Sequence, residues 1–377
     1  MFKVVCAPDS FKGSLAASEV ARAMERGIKS FCPEAEVVKL PLSDGGEGLV
    51  DSLVAATKGK KKNTVVTDPL GRKVEAGYGI LGDGQGVMEM AAASGLPLVA
   101  PEELNPLRTT TFGTGELLQA LLDEGCRTVI VGIGGSATND GGIGMLQALG
   151  GRFFDSEGKE LGWGGGELNK LADFNLEGLD PRIEKTEIKV ACDVDNPLTG
   201  ENGATRVYGP QKGATLKMIE ELERGLGHFG DLIREKKGIE VNSYPGSGAA
   251  GGLGAGMMVF LGGKLQPGVD LVLDTVRFED KIKGADLVIT GEGRLDKQTI
   301  YGKTALGVVR RSKKIPVVAV GGWVEPEIAL LREEGLTAFF SILDRPRSLE
   351  EAMKIAPMLL ERSCEEIIRL FFSGRKT

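Results

Sequence analysis

Residues 132–144, with the sequence G-I-G-G-S-A-T-N-D-G-G-I-G, constrain the fold of this chain more than any other segment. An apolar run at 129–131 precedes them and is typical of a buried strand, while 145–149 have the pattern of a helix. Glycine permits positive φ and lets a ligand approach the backbone closely. Free N–H groups in such a loop, next to a helix start, favour anion binding. The segment therefore predicts a strand–loop–helix unit that binds phosphate.

The same arrangement occurs three more times. Polar, glycine-containing loops with a carboxylate follow the predicted strands 3–7, 37–40 and 287–290. Each loop supplies one carboxylate that is considered below: Asp9, Asp44 and Glu292. In open α/β sheets, ligands bind at the carboxyl ends of the strands. We therefore expect one composite active site built from these loops.

Both ends of the chain alternate strands with helices. The predicted strands of these ends are 3–7, 36–40, 286–290, 316–320 and 337–342. Such alternation predicts a parallel sheet with helices on both faces. We also expect a helix at 326–334 and a single final helix at 348–373.

The middle of the chain has a different pattern. Predicted strands at 63–67, 72–80 and 86–91 are joined by turn signals and indicate an antiparallel meander, and a hairpin is expected at 152–160. We therefore predict an α/β protein of two domains. Residues 1–65 and 285–377 form one domain, and a mixed α/β domain of residues 66–284 is inserted in it. The active site is expected in the interdomain cleft, where ligands bind preferentially.

Composition narrows the class of protein. The net charge of −7 and the absence of a basic stripe argue against nucleic-acid binding. No apolar stretch reaches the ~18 residues of a membrane span, and the start has no signal-peptide pattern. Five cysteines without metal-ligand spacing indicate reduced thiols and a cytoplasmic protein. A homo-oligomer is compatible with the sequence.

Three glycine motifs imitate nucleotide-binding fingerprints. G-x-G-x-x-A at 132–137 follows a strand, but the helix after it begins too late for a tight dinucleotide turn. A G-x-G-x-x-G at 246–251 is weak evidence in so glycine-rich a chain. G-K-T at 302–304 resembles the end of a P-loop, but Lys297 stands where the first glycine is required. None of the three establishes a nucleotide site.

Several charged residues are candidates for chemistry. Asp193 and Asp195 follow a predicted strand on one face, where they could hold Mg²⁺ or supply a base, or form an ordinary polar turn. Lys212 could contact a phosphate or be an exposed loop lysine. The single histidine, His228, makes a histidine base improbable. Carboxylates and cations without histidine fit phosphoryl transfer, where positioning and charge neutralisation dominate.

The order and spacing of eight segments resemble the bacterial glycerate kinase family of the glycerate 2-kinase type. These segments cover nearly the whole chain: 7–14 (A-P-D-S-F-K-G-S), 44–48 (D-G-G-E-G), 105–116 (N-P-L-R-T-T-T-F-G-T-G-E), 134–142 (G-G-S-A-T-N-D-G-G), 191–198 (A-C-D-V-D-N-P-L), 209–214 (G-P-Q-K-G-A), 248–256 (G-A-A-G-G-L-G-A-G) and 290–296 (T-G-E-G-R-L-D). The resemblance implies ATP-dependent phosphorylation of D-glycerate to 2-phosphoglycerate and a flavodoxin-like, doubly wound domain built from both chain ends. One departure is G-G-W-V at 321–324, where a more polar turn of small residues is expected.

Residues and resemblance together give each candidate a role. Lys12 and Arg294 would bind the glycerate carboxylate or the transferring phosphate, with Asp9 and Ser10 beside them. Asp193 would orient or deprotonate the attacking hydroxyl. Magnesium would be held by Asp44, Asp195 or Glu292. ATP phosphates or substrate would be bound by Gly134, Gly135, Ser136, Thr138, Asn139, Asp140 and Lys212.

Two rival functions stay open on the sequence. One is a nicotinamide-dependent dehydrogenase, which rests on the weak G-x-G match. The other is a non-catalytic sensor that binds an anionic metabolite. Carboxylates at several strand ends count against the sensor, because anion binding alone does not require them.

Overall fold

The computed structural model describes residues 1–374. Its strands are β1 (Lys3–Cys6), β2 (Glu36–Lys39), β3 (Lys60–Thr67), β4 (Lys73–Ile80), β5 (Gly86–Glu89), β6 (Thr128–Gly132), β7 (Arg152–Asp155), β8 (Leu171–Asn175), β9 (Glu187–Ala191), β10 (Lys264–Gln266), β11 (Leu287–Leu295), β12 (Val317–Val324) and β13 (Leu336–Ser341). Its α-helices are α1 (Ala17–Phe31), α2 (Leu49–Thr57), α3 (Ala91–Ser94), α4 (Phe112–Asp123), α5 (Ile143–Ala148), α6 (Ala204–Tyr208), α7 (Leu216–Lys237), α8 (Ala249–Leu261), α9 (Gly268–Thr275), α10 (Phe278–Ile282), α11 (Thr304–Ser312), α12 (Leu349–Lys354) and α13 (Ala356–Ser373). None of these helices combines the length and apolar character needed to cross a membrane.

The described chain divides into two units. The first comprises Met1–Asp44, Asp51–Gly59 and Val269–Thr377, and the second comprises Gly45–Val50 and Lys60–Gly268. Residues 60–65 lie in the second unit because β3 pairs with β4 along its whole length.

A five-stranded parallel sheet forms the centre of the first unit, in the order β13-β12-β11-β1-β2. This confirms the prediction that the two chain ends share one parallel sheet. The strands are short apolar runs such as Val4–Cys6, which are fully buried. Helices α1 and α13 cover one face, where Gly27 permits close packing, since an added Cβ would lie 2.1 Å from the Glu361 carbonyl oxygen.

The second unit contains a six-stranded mixed sheet in the order β10-β9-β6-β5-β4-β3. Strands β3, β4 and β5 form the predicted antiparallel meander, while β5, β6, β9 and β10 are parallel. Buried side chains of β6 and β9 pack with α4, α5, α7 and α8 in its core. The sheet places the ends of β6 and β9 side by side, which positions the loops discussed below.

Three sequence-based elements differ in detail from the expectation. The expected hairpin at 152–160 is present as a tight turn with one antiparallel bridge, Phe154–Glu160, while the longer ladder of β7 is formed with β8. The expected helix at 326–334 is a 3₁₀ helix (Pro326–Arg332). The final helix is two helices, because Pro357 cannot continue the hydrogen bonding of α12 and instead lies in the first turn of α13.

Candidate active site

The carboxyl ends of β1 and β11 lie side by side where the winding of the first sheet reverses. Strand β2 lies on one side of β1, whereas β11, β12 and β13 extend from the other. Such a switch point is where an open α/β sheet forms a ligand crevice. The chain after β1 stays beside β11, since the Asp9 N–H donates to the Gly291 carbonyl at 2.8 Å. The polar residues that follow both strands are therefore held at one edge.

The predicted loop at 291–296 is wrong, because β11 continues to Leu295. Glu292 pairs with Gly321 and Arg294 pairs with Trp323 in the parallel ladder with β12. Glycine makes this possible, since a Cβ on Gly291 would lie 2.2 Å from the Val320 carbonyl oxygen. The ladder also extends β12 through the segment where a polar turn was expected. Glu292 and Arg294 therefore project from a regular strand.

Three carboxylates line one cavity of the first unit: Asp9, Asp44 and Glu292. The buried Asp9 accepts hydrogen bonds from the Thr304 hydroxyl at 2.6 Å and the Ser10 N–H at 2.6 Å. Burial, followed by the charge of Asp44, raises the pKa of Asp9 to about 6. Burial raises the pKa of Glu292 to about 7, helped by the charges of Asp9 and Asp44 and opposed by Lys303. Carboxylates that repel one another in this way are typical of functional sites.

The oxygen donors of this cavity suit Mg²⁺. That ion binds one or two carboxylates and completes its coordination with water and phosphate oxygens. Among residues 1–374, no three His, Cys, Asp or Glu side chains are arranged so that they could hold a metal ion. Asp44 and Glu292 are the carboxylates of this cavity that could hold such an ion together with a phosphate ligand.

Four cationic side chains line this cavity: Lys12, Arg294, Lys303 and Arg347, the last of which pairs with Asp344 at 2.9 Å. Lys12 is 65% exposed, and its Nζ lies 3.9 Å from the Asp44 carboxylate. Lys303 Nζ lies 3.6 Å from Glu292. Arg294 is exposed but already paired, with Asp296 at 3.0 Å and Glu325 at 2.9 Å. Lys12 and Lys303 are thus loosely held, whereas Arg294 is oriented by two carboxylates.

The cavity has a volume of about 670 Å³, and its lining residues fall into two chemical groups, called here its polar and apolar halves. The polar half contains the three carboxylates with Ser10, Lys12, Ser14, Arg294, Lys303, Arg347 and Ser348. The apolar half is formed by Phe11, Trp323, Ile342, Leu343, Leu349, Ala352, Met353 and Ala356. A ligand that fills this cavity must have a charged part and an apolar part.

In the second unit, the loop at 134–142 is largely buried. Gly134 and Gly135 are exposed, while the residues from Ser136 to Gly142 are buried. The Lys212 ammonium is also buried and donates to Ser136 Oγ at 2.8 Å and to the Thr138 carbonyl at 2.7 Å. Burial lowers the pKa of Lys212 to about 7. The hydrogen bonds of this lysine therefore fix the loop at 134–142 within the second unit.

Asp140 has a similar internal role. Its carboxylate accepts the Thr111 N–H at 2.8 Å, the Thr111 hydroxyl at 2.9 Å and the Gly142 N–H at 3.1 Å. Burial raises the pKa of Asp140 against these hydrogen bonds. The bonds join the loop to the start of α4 and α5.

The glycines of α8 complete this packing. A Cβ on Gly251 would lie 2.1 Å from the Thr138 carbonyl oxygen, and the Gly141 N–H donates to the Gly251 carbonyl at 3.0 Å. The Asn139 amide donates to the Thr205 hydroxyl at 3.0 Å. Within the described chain, Thr138 Oγ1 and Asn139 Oδ1 are buried without a hydrogen-bond partner. The G-x-G-x-x-G match at 246–251 thus reflects backbone packing against the loop.

Asp193 and Asp195 follow β9, as predicted, and both are exposed. One Asp193 oxygen accepts the Gly268 N–H at 2.7 Å. That bond fixes the side chain while leaving the residue accessible to solvent. His228 is exposed on α7, and its ring nitrogen contacts the Leu171 carbonyl.

Sequence reasoning missed Lys303 and Trp323, which line the first cavity, and Thr304, which donates a hydrogen bond to Asp9. Lys303 and Thr304 belong to the G-K-T triplet at 302–304, which does not have the glycine spacing of a P-loop. The triplet nonetheless opens α11 beside β11, where Thr304 binds Asp9. A lysine and a threonine next to a strand-end carboxylate could have signalled this role. Trp323 gave no signal, because its position depends on the extension of β12.

The fold and this cavity define a class of protein: a two-unit α/β enzyme with charged groups at the switch point of a parallel sheet. The glycerate kinase family model matches residues 4–372. A glycerate kinase of Bacillus subtilis (strain 168) is 50% identical over 97% of this chain and 96% of its own. The glycerate 2-kinase of Escherichia coli (strain K12) is 49% identical over 93% of both chains.

A solved structure agrees with the sequence comparison. The crystal structure of a glycerate kinase 2 from Salmonella typhimurium LT2 matches with a TM-score of 0.92 and 46% identity, over 100% of both chains. The chain belongs to the glycerate kinase family and is therefore an enzyme of the kinase class.

Proposed function

We propose that this enzyme transfers the γ-phosphate of ATP to a hydroxyl of D-glycerate and releases 2-phosphoglycerate and ADP. The observation that supports this most is the charged half of the cavity in the first unit, where two loosely held lysines face three carboxylates. Phosphoryl transfer needs positioning and charge neutralisation more than covalent chemistry. Membership of the glycerate kinase family supports the choice of acceptor.

In this proposal Lys12 and Lys303 neutralise charge on the transferring phosphate. Arg294 is oriented by Asp296 and Glu325, so that it can bind the glycerate carboxylate with two parallel N–H bonds. Asp44 and Glu292 would hold Mg²⁺, with Asp195 as a further candidate in the second unit. Bound magnesium would offset negative charge on the phosphate oxygens.

Proton removal is assigned to Asp193. The attacking hydroxyl oxygen forms a bond to the γ-phosphorus as the bond to the β–γ bridging oxygen breaks, and the hydroxyl proton passes to a carboxylate. Asp193 is exposed and held by the Gly268 N–H, which suits an acceptor of fixed orientation. Glu292 is the alternative base in an arrangement where Asp44 and Asp195 hold Mg²⁺ instead, because a pKa of about 7 matches proton transfer near neutral pH.

The glycine-rich loop of the second unit has a narrower proposed role. The exposed backbone at Gly134 and Gly135 can approach an anionic group of a substrate. Ser136, Thr138, Asn139, Asp140 and Lys212 would hold the shape of this loop. The five unpaired cysteines fit a protein that acts in the cytoplasm.

The test is incubation of the protein with ATP, Mg²⁺ and D-glycerate. ADP release should require glycerate, and the product should be converted directly by enolase without a mutase. If enolase converts the product only after a mutase has acted, the phosphate was transferred to the other hydroxyl of glycerate. Binding of glycerate without ADP release would favour a sensor, and reduction of NAD(P)⁺ in a parallel incubation with D-glycerate would favour a dehydrogenase.

A further inference from the structure

The cavity in the first unit is larger than glycerate requires. Glycerate has three carbons, each bearing oxygen, and offers no apolar surface to the side chains of α12 and of the segment that follows β13. A volume of about 670 Å³ falls within the ~300–1,000 Å³ of small-molecule and cofactor sites. The cavity thus has room for a ligand that extends well beyond the reacting phosphate.

Trp323 is the most informative residue of this half. Its side chain is 59% exposed although it is large and apolar. The β11–β12 ladder pairs it with Arg294, which sets the indole next to the charged residues. Ile342, Leu343, Leu349 and Met353 supply the remaining apolar walls. An accessible indole among aliphatic side chains is suited to stacking against a flat aromatic ring.

A ligand that occupies the whole cavity would contact both halves. The charged half offers the loosely held Lys12 and Lys303, which suit phosphates, while the apolar half offers an aromatic face. A nucleoside polyphosphate has this combination of groups. An organic acid or inorganic phosphate has only the charged part.

We propose that the apolar half, formed by Trp323, Ile342, Leu343, Leu349 and Met353, binds the adenine base of the phosphate donor. The base stacks on the Trp323 indole, and the phosphates extend toward Lys12 and Lys303. This assignment rests on the proposed function, because it takes ATP as the donor. It also gives G-G-W-V at 321–324 a purpose that a polar turn would not serve.

The first experiment compares steady-state kinetics of Trp323→Ala and Trp323→Phe with the wild type. Loss of a stacking partner costs about 1–3 kcal/mol, so Trp323→Ala should raise the KM for ATP about tenfold. The KM for glycerate should change less than twofold, and Trp323→Phe should recover most of the ATP affinity. Phe340→Ala is the matched control, since Phe340 is a partly exposed aromatic of β13 outside the cavity.

The second experiment uses intrinsic fluorescence. The chain has two tryptophans, and the other, Trp163, packs on Phe112 in the second unit. In a Trp163→Phe variant, ADP should change the emission of Trp323 saturably, whereas tripolyphosphate should compete with ADP without changing the emission. In Trp323→Phe, ADP should leave the emission of Trp163 unchanged.

The two proposals fail in different ways. If the wild type releases no ADP with glycerate, the proposed function fails. If it does release ADP, but Trp323→Ala keeps the wild-type KM for ATP and bound ADP leaves Trp323 emission unchanged, the base lies elsewhere and this inference is overturned. A selective rise in the KM for glycerate would also overturn it, by assigning the apolar half to the acceptor.

Discussion

The carboxyl end of the first sheet and the loop at 134–142 in the second unit are both made of glycine and small polar residues. In the first unit, Lys12 and Lys303 remain loosely paired and line an open cavity. In the second unit, Asp140 and Lys212 are fully buried, and their hydrogen bonds hold the loop itself. Similar composition therefore supports two roles: polar groups available to a ligand, and polar groups that hold a backbone in shape.

This difference predicts different responses to mutation. Changes at the exposed candidates should alter kinetics and leave stability nearly unchanged. Changes at the buried loop residues should lower the free energy of unfolding.

The largest effect is expected for Asp193→Asn. Removal of a general base costs roughly 10²–10⁴-fold in rate, so kcat should fall by that factor while the KM for glycerate changes little. Steady-state kinetics of Asp193→Asn test this assignment, whereas Glu292→Gln does not separate the two candidate bases, because loss of a magnesium ligand would also lower its kcat. Near-normal kcat in Asp193→Asn would exclude Asp193 as the base.

Asp140→Ala should mainly destabilise the protein. The substitution leaves the buried N–H groups of Thr111 and Gly142 without their acceptor, and hydrogen bonds to a charged group contribute about 1.5–3 kcal/mol each. Urea unfolding should show a loss of about 2–4 kcal/mol. Glu235→Ala, which removes an exposed carboxylate from α7, should change stability by about 0.5 kcal/mol or less. Equal stabilities of the two variants would contradict a structural role for Asp140.

Arg294→Lys should weaken glycerate binding about tenfold, although the charge is kept. Lysine cannot reproduce the two parallel N–H bonds that a guanidinium makes to a carboxylate. The loss of one charge-assisted bond accounts for this magnitude. Separate titrations with glycerate and ATP test the assignment. Weakened ATP binding with unchanged glycerate binding would assign Arg294 to the phosphates.

The smallest effect concerns pH. The pKa of Lys212 falls from its usual 10.5 to about 7 on folding, because burial disfavours the charged form. Between these values the unfolded chain binds more protons, so this residue makes the free energy of unfolding rise with pH from about 7 toward 10.5. Below pH 7 both states are protonated and the slope vanishes.

Lys212→Met removes this contribution. Urea unfolding at pH 7, 8 and 9 should show a less positive dependence on pH for the variant than for the wild type. If the free energy of unfolding depends on pH in the same way in the variant and in the wild type, Lys212 is not buried as an uncharged amine.

Much of the first unit could be predicted, because its strands are short apolar runs that alternate with amphipathic helices. The extension of β11 through Glu292 and Arg294 could not, since G-E-G-R has the composition of a loop and becomes a strand through pairing with β12. The burial of Lys212 could not be predicted either, because it depends on the loop at 134–142 and on α8 rather than on residues nearby in sequence. The sequence thus identified most of the charged residues, apart from Lys303 and Arg347, but not which of them line the cavity of the first unit.

The most direct test of this account is glycerate-dependent ADP release by the wild type and by Glu292→Gln under identical conditions. We expect the wild type to release ADP only when D-glycerate is present, and the variant to lose most of this activity while unfolding at a similar urea concentration. ADP release that does not depend on glycerate, or a variant as active as the wild type, would contradict the claim that the cavity at the ends of β1 and β11 carries the reaction.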